Sequence, residues 1–328
     1  MTSESAIHGA LTALRCILQL TRRDRVMIVC DEELLSLGSV FQRASIQITP
    51  TTVMMLLAQR HKRTEQLAII EEMMEAYRPV VAVNILRVSA EDTPFRIRLL
   101  TLEHDVGCRV GHMPGPRYEW LVEGPLALSD EDYEDIMKRA DSILQRVSGK
   151  REVRITTPDG TDFRFELDTS RPWKTDCIPG MDWFVNLPVG EVFTAPIEES
   201  GEGVLVVRGA IGDLGTPPSP LRLYVREGRV ERVLCEDRGF AKRVWDVLNY
   251  DEGSRLLGEF GIGLNPHASP FSDSMLEAEK AANTIHIAFG YNASFKGKNN
   301  SEMHRDFLVL NPRVELEGEP LPTALYRR

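Results

Sequence analysis

Two short apolar runs constrain this chain more than any other feature: RVMIVCD (residues 25–31) and PVVAVNIL (residues 79–86). Each is bounded by polar or proline-containing sequence and reads as a buried strand. Helical patterns stand before and between them. Ile7, Ala10, Leu11, Leu14, Ile17 and Leu18 recur at three- and four-residue spacing, the stripe of an amphipathic helix. EQLAIIEEMMEAY is a second helix, and ITPTTVMMLLAQRH, with a threonine to cap it, is expected to be a third. Both methionine pairs, Met54–Met55 and Met73–Met74, then fall on helices as core filling. Strands alternating with helices predict a mostly parallel sheet with covered faces. Neither strand leads into a glycine-rich phosphate-binding turn, so nothing supports a nucleotide site.

The texture changes near residue 150. SDEDYEDIMKRADSILQRV has a serine cap, an acidic first turn and a basic end, and is expected to be a helix. REVRITTPDGTDFRFELD then alternates about a Pro-Asp-Gly turn and reads as a hairpin. Short strands separated by glycine and proline follow (EVFTAP, GVLVVRGAIG, LRLYVREGRVERVLCE), with one helix expected around residues 241–257. The expectation is an α/β chain in two domains. Residues 1–150 form an α/β domain with a mostly parallel sheet, and residues 151–328 a β-rich α+β domain.

Composition removes several function classes. The formal net charge is -10 and no basic block stands out, which argues against nucleic acid as a partner. RRDR (residues 22–25) lies between a helix and a strand pattern and reads as a solvated turn. No run approaches the roughly 20 apolar residues of a membrane span, and the N-terminus has an early glutamate and no basic leader region. Five scattered cysteines without a CxxC argue against a disulfide framework or structural zinc, and suggest a reducing, cytoplasmic environment.

The chemistry concentrates in the second half. In TIHIAFG, Ile285, Ile287 and Phe289 point to one side of a strand, and Thr284, His286 and Ala288 to the other. A lone imidazole there is ordinarily a hydrogen-bonded core histidine. In MHRDFLVL, His304 and Asp306 are two apart, so a strand puts both on one face, as two ligands of one ion would require. Glu191 (NLPVGEVFTAP) and Glu259 (RLLGEFGIGLNP) each sit among glycines, which allow the close backbone approach of a crowded site. Taken singly each reads as a surface acid at a turn. Together, two His, two Glu and one Asp suit zinc, manganese or cobalt, and five ligands exceed one tetrahedral ion.

NLPVGEVFTAP, GEFGIGLNP, HIAFG and the terminal HxD, in this order, resemble the aminopeptidase T and aminopeptidase S family, leucyl-aminopeptidase-like metallopeptidases of which many are thermophilic. The resemblance runs from about residue 151 to 306. It implies a homodimer whose second domain holds two divalent ions (Zn, Co or Mn) on Glu191, Glu259, His286, His304 and Asp306, and which hydrolyses a peptide or a small amide. The chain departs from the family at Ala293, where a tyrosine is expected (Tyr291 lies two residues early), and at Lys296, where one of two paired glycines is expected. The related dihydroxypyridine ring-cleaving dioxygenases imply an alternative, a single Fe(II) on His286, His304 and Asp306. They carry His where this chain has Glu259.

Other residues support weaker readings. Glu279, seven residues before His286, is a candidate proton carrier or a partner of Lys280 in a helix-surface salt bridge. Tyr291 and Trp183 are candidate pocket residues, with core packing the ordinary role for Trp183. His104 and His112 flank GCRVG and are expected to serve packing or a loop, and Cys108 lacks the surroundings of a nucleophile.

Overall fold

In a computed structural model of the chain, residues 3–322 are described; residues 1, 2 and 323–328, the outer ends of the two expected domains, lie outside that range. The chain divides into two compact units, Met1–Glu134 with Ile178–Val189 and Asp135–Cys177 with Gly190–Arg328.

The first unit opens with α1 (Glu4–Cys16), whose Ser3 hydroxyl accepts the Ala6 N–H at 3.1 Å. It continues through β1 (Val26–Asp31), α2 (Leu35–Ile48), β2 (Thr52–Leu57), α3 (Arg63–Tyr77), β3 (Val81–Leu86), α4 (Thr93–Asp105) and β4 (Arg109–Pro114). β1 and β3 are buried at every position, as their apolar runs require. β2 corrects the sequence reading, because TVMMLL is a strand and not a helix. It lies at the sheet edge, parallel to β1 in the register Val26↔Thr52 to Asp31↔Leu57, so Met54 and Met55 are strand residues while Met73 and Met74 are helical. A six-residue apolar run carries too little periodicity to distinguish the two, and the edge of β1 supplies the hydrogen bonds that decide it.

α5 (Asp130–Val147) is capped by Ser129, which exchanges hydrogen bonds with Asp132. After it come β5 (Glu152–Thr156), β6 (Asp162–Glu166) and the two-residue β7 (Lys174–Thr175). The chain returns to the first unit for β8 (Phe184–Asn186), which completes the all-parallel order β2-β1-β3-β4-β8.

The second unit then adds β9 (Glu191–Thr194), β10 (Glu202–Val207), β11 (Leu221–Arg226), β12 (Arg229–Leu234), α6 (Arg238–Leu248), β13 (Leu257–Gly263), α7 (Met275–Ala278), β14 (Thr284–Gly290), β15 (His304–Leu310), β16 (Arg313–Leu316) and β17 (Glu319–Leu321). α6 is shorter and earlier than expected. Asp237 caps it through the Phe240 N–H, it ends at Leu248, and Leu257 opens β13. Two antiparallel sheets result, β12-β11-β10-β6-β5-β16-β17 and β15-β14-β13-β9-β7. The expected hairpin is the β5–β6 pair, turned at Gly160 with φ of +102°. The fold is α/β. Among the described residues no helix is long and apolar enough to cross a membrane.

Candidate metal centre

Five side chains singled out by the sequence meet on the five-stranded sheet of the second unit. His286 on β14 pairs across the backbone with Gly261 on β13, and Glu191 on β9 pairs with Gly263. β13 therefore presents glycine where a side chain would stand between the acid and the imidazole. A Cβ at Gly261 would fall 1.9 Å from His286 Nε2, so only glycine admits the ring. The β13–β14 register shifts between Leu257 and Glu259, a bulge of the kind that re-aims a side chain. Glu259 and Asp306 then flank Ala288 from opposite neighbouring strands.

The ligand-type atoms fall into two sets. In each of Glu191–Glu259–His286 and Glu259–His304–Asp306 the donor atoms lie within 4.8 Å of one another. Glu259 belongs to both: Oε1 faces His286 Nε2 at 3.3 Å and Oε2 faces His304 Nε2 at 3.4 Å. Glu191 Oε2 stands 3.5 Å from His286 Nε2, and His304 Nε2 stands 3.4 Å from Asp306 Oδ1. Depth separates the sets. The His286 side chain is 1% exposed and that of His304 is 29% exposed, so solvent reaches the centre on the His304 side. His304 Nδ1 hydrogen-bonds to the Tyr291 carbonyl at 2.7 Å, which fixes the ring and turns Nε2 toward the carboxylates. The Tyr291 side chain itself is exposed, and the residue serves the site through its backbone.

Electrostatics make the cluster demanding. Burial pushes the Glu191 carboxyl up to about 8, against the pull of Lys280, with Glu279 and Asp176 adding to the rise. Burial works to lower His286, but its hydrogen bond to Glu259 and the surrounding carboxylates overcome this and raise it to about 9. His304 is raised to about 10 in the same way, against burial and chiefly by Asp306, which is itself held down at about 2 despite burial. The buried Glu191 Oε2 accepts no hydrogen bond. An orphaned carboxylate oxygen, two imidazoles and a shared glutamate are donors that fit divalent cations.

Two further residues belong to this cluster and escaped the sequence reading. Lys280 is fully buried, and its ammonium contacts Glu191, Glu279 at 2.8 Å and Asp176 at 3.2 Å. The Glu279–Lys280 pair is thus an interior one and not a salt bridge on a helix surface. The lysine follows the four-residue α7, too short to show a buried face in sequence, and Asp176 in KTDCIPG carries no spacing signal. Phe295 was missed as well; its ring lies 5.4 Å from that of Phe193 and 6.2 Å from that of His304. Trp183, a candidate pocket residue, lies in the first unit with its ring against His104 at 4.8 Å and Phe184 at 4.9 Å. His112 is buried on β4 beside Asn84, and the buried Cys108 thiol faces the Pro79 carbonyl.

Two histidines and three carboxylates meet on one sheet, a donor mixture of the kind that can hold divalent metal ions. The family model of the thermophilic metalloproteases (M29) matches residues 129–320, and the chain belongs to that family. Among curated proteins it is similar to aminopeptidase AmpS of Bacillus subtilis, 28% identical over 46% of this chain and 38% of that protein. It is also similar to aminopeptidase T of Thermus aquaticus, 31% identical over 48% of this chain and 43% of that protein. The matched region spans less than half the length of these relatives. Two solved structures share the fold almost end to end, each at 18% identity. They are a 2,5-dihydroxypyridine dioxygenase from Pseudomonas putida KT2440 (TM-score 0.74, 98% of this chain and 97% of that one) and AmpT from Thermus thermophilus (TM-score 0.68, 98% and 99%).

Proposed function

We propose that the second unit is the catalytic part of a metal-dependent hydrolase of the aminopeptidase type, and that Glu191, Glu259, His286, His304 and Asp306 hold two divalent ions. The observation that carries this reading is Glu259, whose two oxygens face two different donor sets. A carboxylate so placed would serve both donor sets at once. Charge points the same way. Fully ionised, the carboxylates of Asp176, Glu191, Glu259, Glu279 and Asp306 against the ammonium of Lys280 leave four negative charges, the sum that two divalent cations neutralise.

Zinc, cobalt or manganese bound there supplies Lewis acidity, bringing the pKa of a coordinated water toward neutrality and polarising an amide carbonyl. The chain supplies the rest. The solvent-reached His304 side admits the substrate, and Phe193 and Phe295 wall it with aromatic surface. Glu279, held by Lys280, is the candidate proton carrier to the leaving nitrogen. Burial pushes its carboxyl up, closer to the range in which an acid is useful near neutral pH. The substrate is a peptide with a free N-terminus or a small amide.

The fold is shared with a ring-cleaving dioxygenase, so the experiment must separate the two chemistries. Metal is counted on protein purified without chelator, with hydrolysis of aminoacyl amides assayed beside oxygen uptake on hydroxylated pyridines. Two ions per chain and hydrolysis are expected. One iron per chain with oxygen uptake would replace this reading by an Fe(II) centre on His286, His304 and Asp306. Light scattering tests the accompanying proposal of a homodimer.

A further inference from the structure

Lys280 has no exposed surface, and its ammonium lies against three carboxylates: it donates a hydrogen bond to Glu191 Oε1 and forms ion pairs with Glu279 Oε1 at 2.8 Å and Asp176 Oδ2 at 3.2 Å. The other oxygen of Asp176 accepts the backbone N–H groups of Gly190 at 2.9 Å and Glu191 at 3.0 Å. Glu191 is thus tied twice, through its backbone by Asp176 and through one side-chain oxygen by Lys280. Its remaining oxygen, Oε2, accepts no hydrogen bond and stands 3.5 Å from His286 Nε2. A lysine buried this way, its donors directed at acids, is not placed to touch a substrate.

We propose that Lys280 is a positioning residue of the metal centre: by occupying one oxygen of Glu191 it makes Glu191 a one-oxygen donor to the Glu191–Glu259–His286 set, while it forms no ion pair with the Glu259–His304–Asp306 set. This rests on the reading that Glu191 is a metal ligand. Lysine suits the task because a compact ammonium serves three separate acids, where the planar fork of arginine would pair with one or two. A neutral side chain at 280 would leave both oxygens of Glu191 free to turn toward one ion or between two. The effect falls chiefly on one ion, because among the ion-pair contacts of Lys280 the sole proposed ligand is Glu191.

The test is a Co2+ titration of metal-free protein, followed by the visible absorption of the bound ion and by counting retained cobalt after desalting. Wild type, Lys280→Met and the charge-conserving Lys280→Met/Glu279→Gln are compared. Wild type should show two binding steps. Both variants should weaken one step about 10- to 100-fold, the usual effect of losing a residue that orients a ligand, and leave the other step unchanged. His304→Ala should weaken the step that the Lys280 variants spare. Two unchanged steps, or two steps lost together, would overturn the proposal. So would loss of the wild-type near-ultraviolet circular dichroism in both Lys280 variants, because Lys280 would then support the whole unit and not one ligand. If wild type takes up fewer than two ions, the two-ion reading fails by itself. Metal-free crystal structures then decide the role of Lys280. A Glu191 carboxylate displaced in Lys280→Met supports it, and one left in place refutes it.

Discussion

Two buried ionic networks, one in each unit, are built to different rules. In the first unit Arg63 binds Asp31 through two nitrogens, at 2.7 and 3.0 Å, and Asp92 through two, at 3.0 and 2.9 Å, and also reaches Gln66 at 3.0 Å. Arg87 adds its backbone N–H to Asp31 and its side chain to Asp92, each at 2.8 Å. Two guanidinium groups face two carboxylates, and all five donors of Arg63 are used. In the second unit five carboxylates face one lysine and two imidazoles, and two carboxylate oxygens, Asp176 Oδ2 and Glu191 Oε2, accept no hydrogen bond. The first network is closed, each guanidinium answered by carboxylates, and the second carries more carboxylates than cationic partners. Position sharpens the contrast. Asp31 ends β1 and Arg87 follows β3, the neighbours between which the strand order reverses. Parallel sheets commonly take their ligands in that crevice, and here Arg63 and its partners occupy it.

The comparison breaks most sharply at a residue that is no ligand. Gly261→Ala should abolish ordered metal binding at the deeper set, because the added methyl collides with His286, and atomic emission on purified protein would show it. Glu259→Gln should remove one ion and lower kcat/KM by at least about 100-fold, as loss of a group that stabilises transition-state charge does. Retention of both ions would deny the shared-carboxylate arrangement. Arg63→Met should do the reverse. It leaves Asp31 and Asp92 buried with less counter-charge and should cost about 3 kcal/mol in denaturant unfolding, with metal content unchanged.

Acid and alkali should divide the two networks in metal-free protein. His286, His304 and Glu191 have folded pKa values of about 9, about 10 and about 8, above their unfolded values of roughly 6.5 for His and 4.3 for Glu. The folded chain then binds more protons than the unfolded one, so stability falls as pH rises toward 10. Asp92 has the opposite sign. Hydrogen bonding from Arg63 holds it well below the usual carboxylate range, and its contribution is present above about pH 4 and lost in acid. Melting curves from pH 3 to 10 should therefore fall at both ends, and divalent ions should offset the alkaline fall. Titration calorimetry in buffers of different ionisation enthalpy should register proton release on metal binding at pH 7. The smallest effect is expected at a balanced but exposed pair, where Arg154→Ala, losing Asp162, should leave Tm unchanged.

Legibility in the sequence followed periodicity. β1, β3 and β14 stood out because buried strands are continuous apolar runs, and α3 and α5 because their termini and lengths left no competitor. β2 failed because Met and Leu favour helices locally and only the edge of β1 makes TVMMLL a strand. For the candidate site, residues spaced within one strand, such as His304 and Asp306, could be read as sharing a face, and the glycines about Glu259 marked a close approach. Lys280 and Asp176 could not be read. What makes them notable is burial together, 104 residues apart in sequence, and EAEK looks like any solvated helix end.

The strand order also sets when the centre can exist during synthesis. The five donors emerge in the order Glu191, Glu259, His286, His304, Asp306, and the last two arrive with β15, the edge strand of their sheet. A nascent chain that has released only the strands through β14 carries one donor set at most, and its outer flank is bare backbone. The ribosome thus delivers the shared glutamate with only one of its two sides furnished, and on the two-ion proposal capture of a second ion waits until the last strand of the sheet has zipped into place.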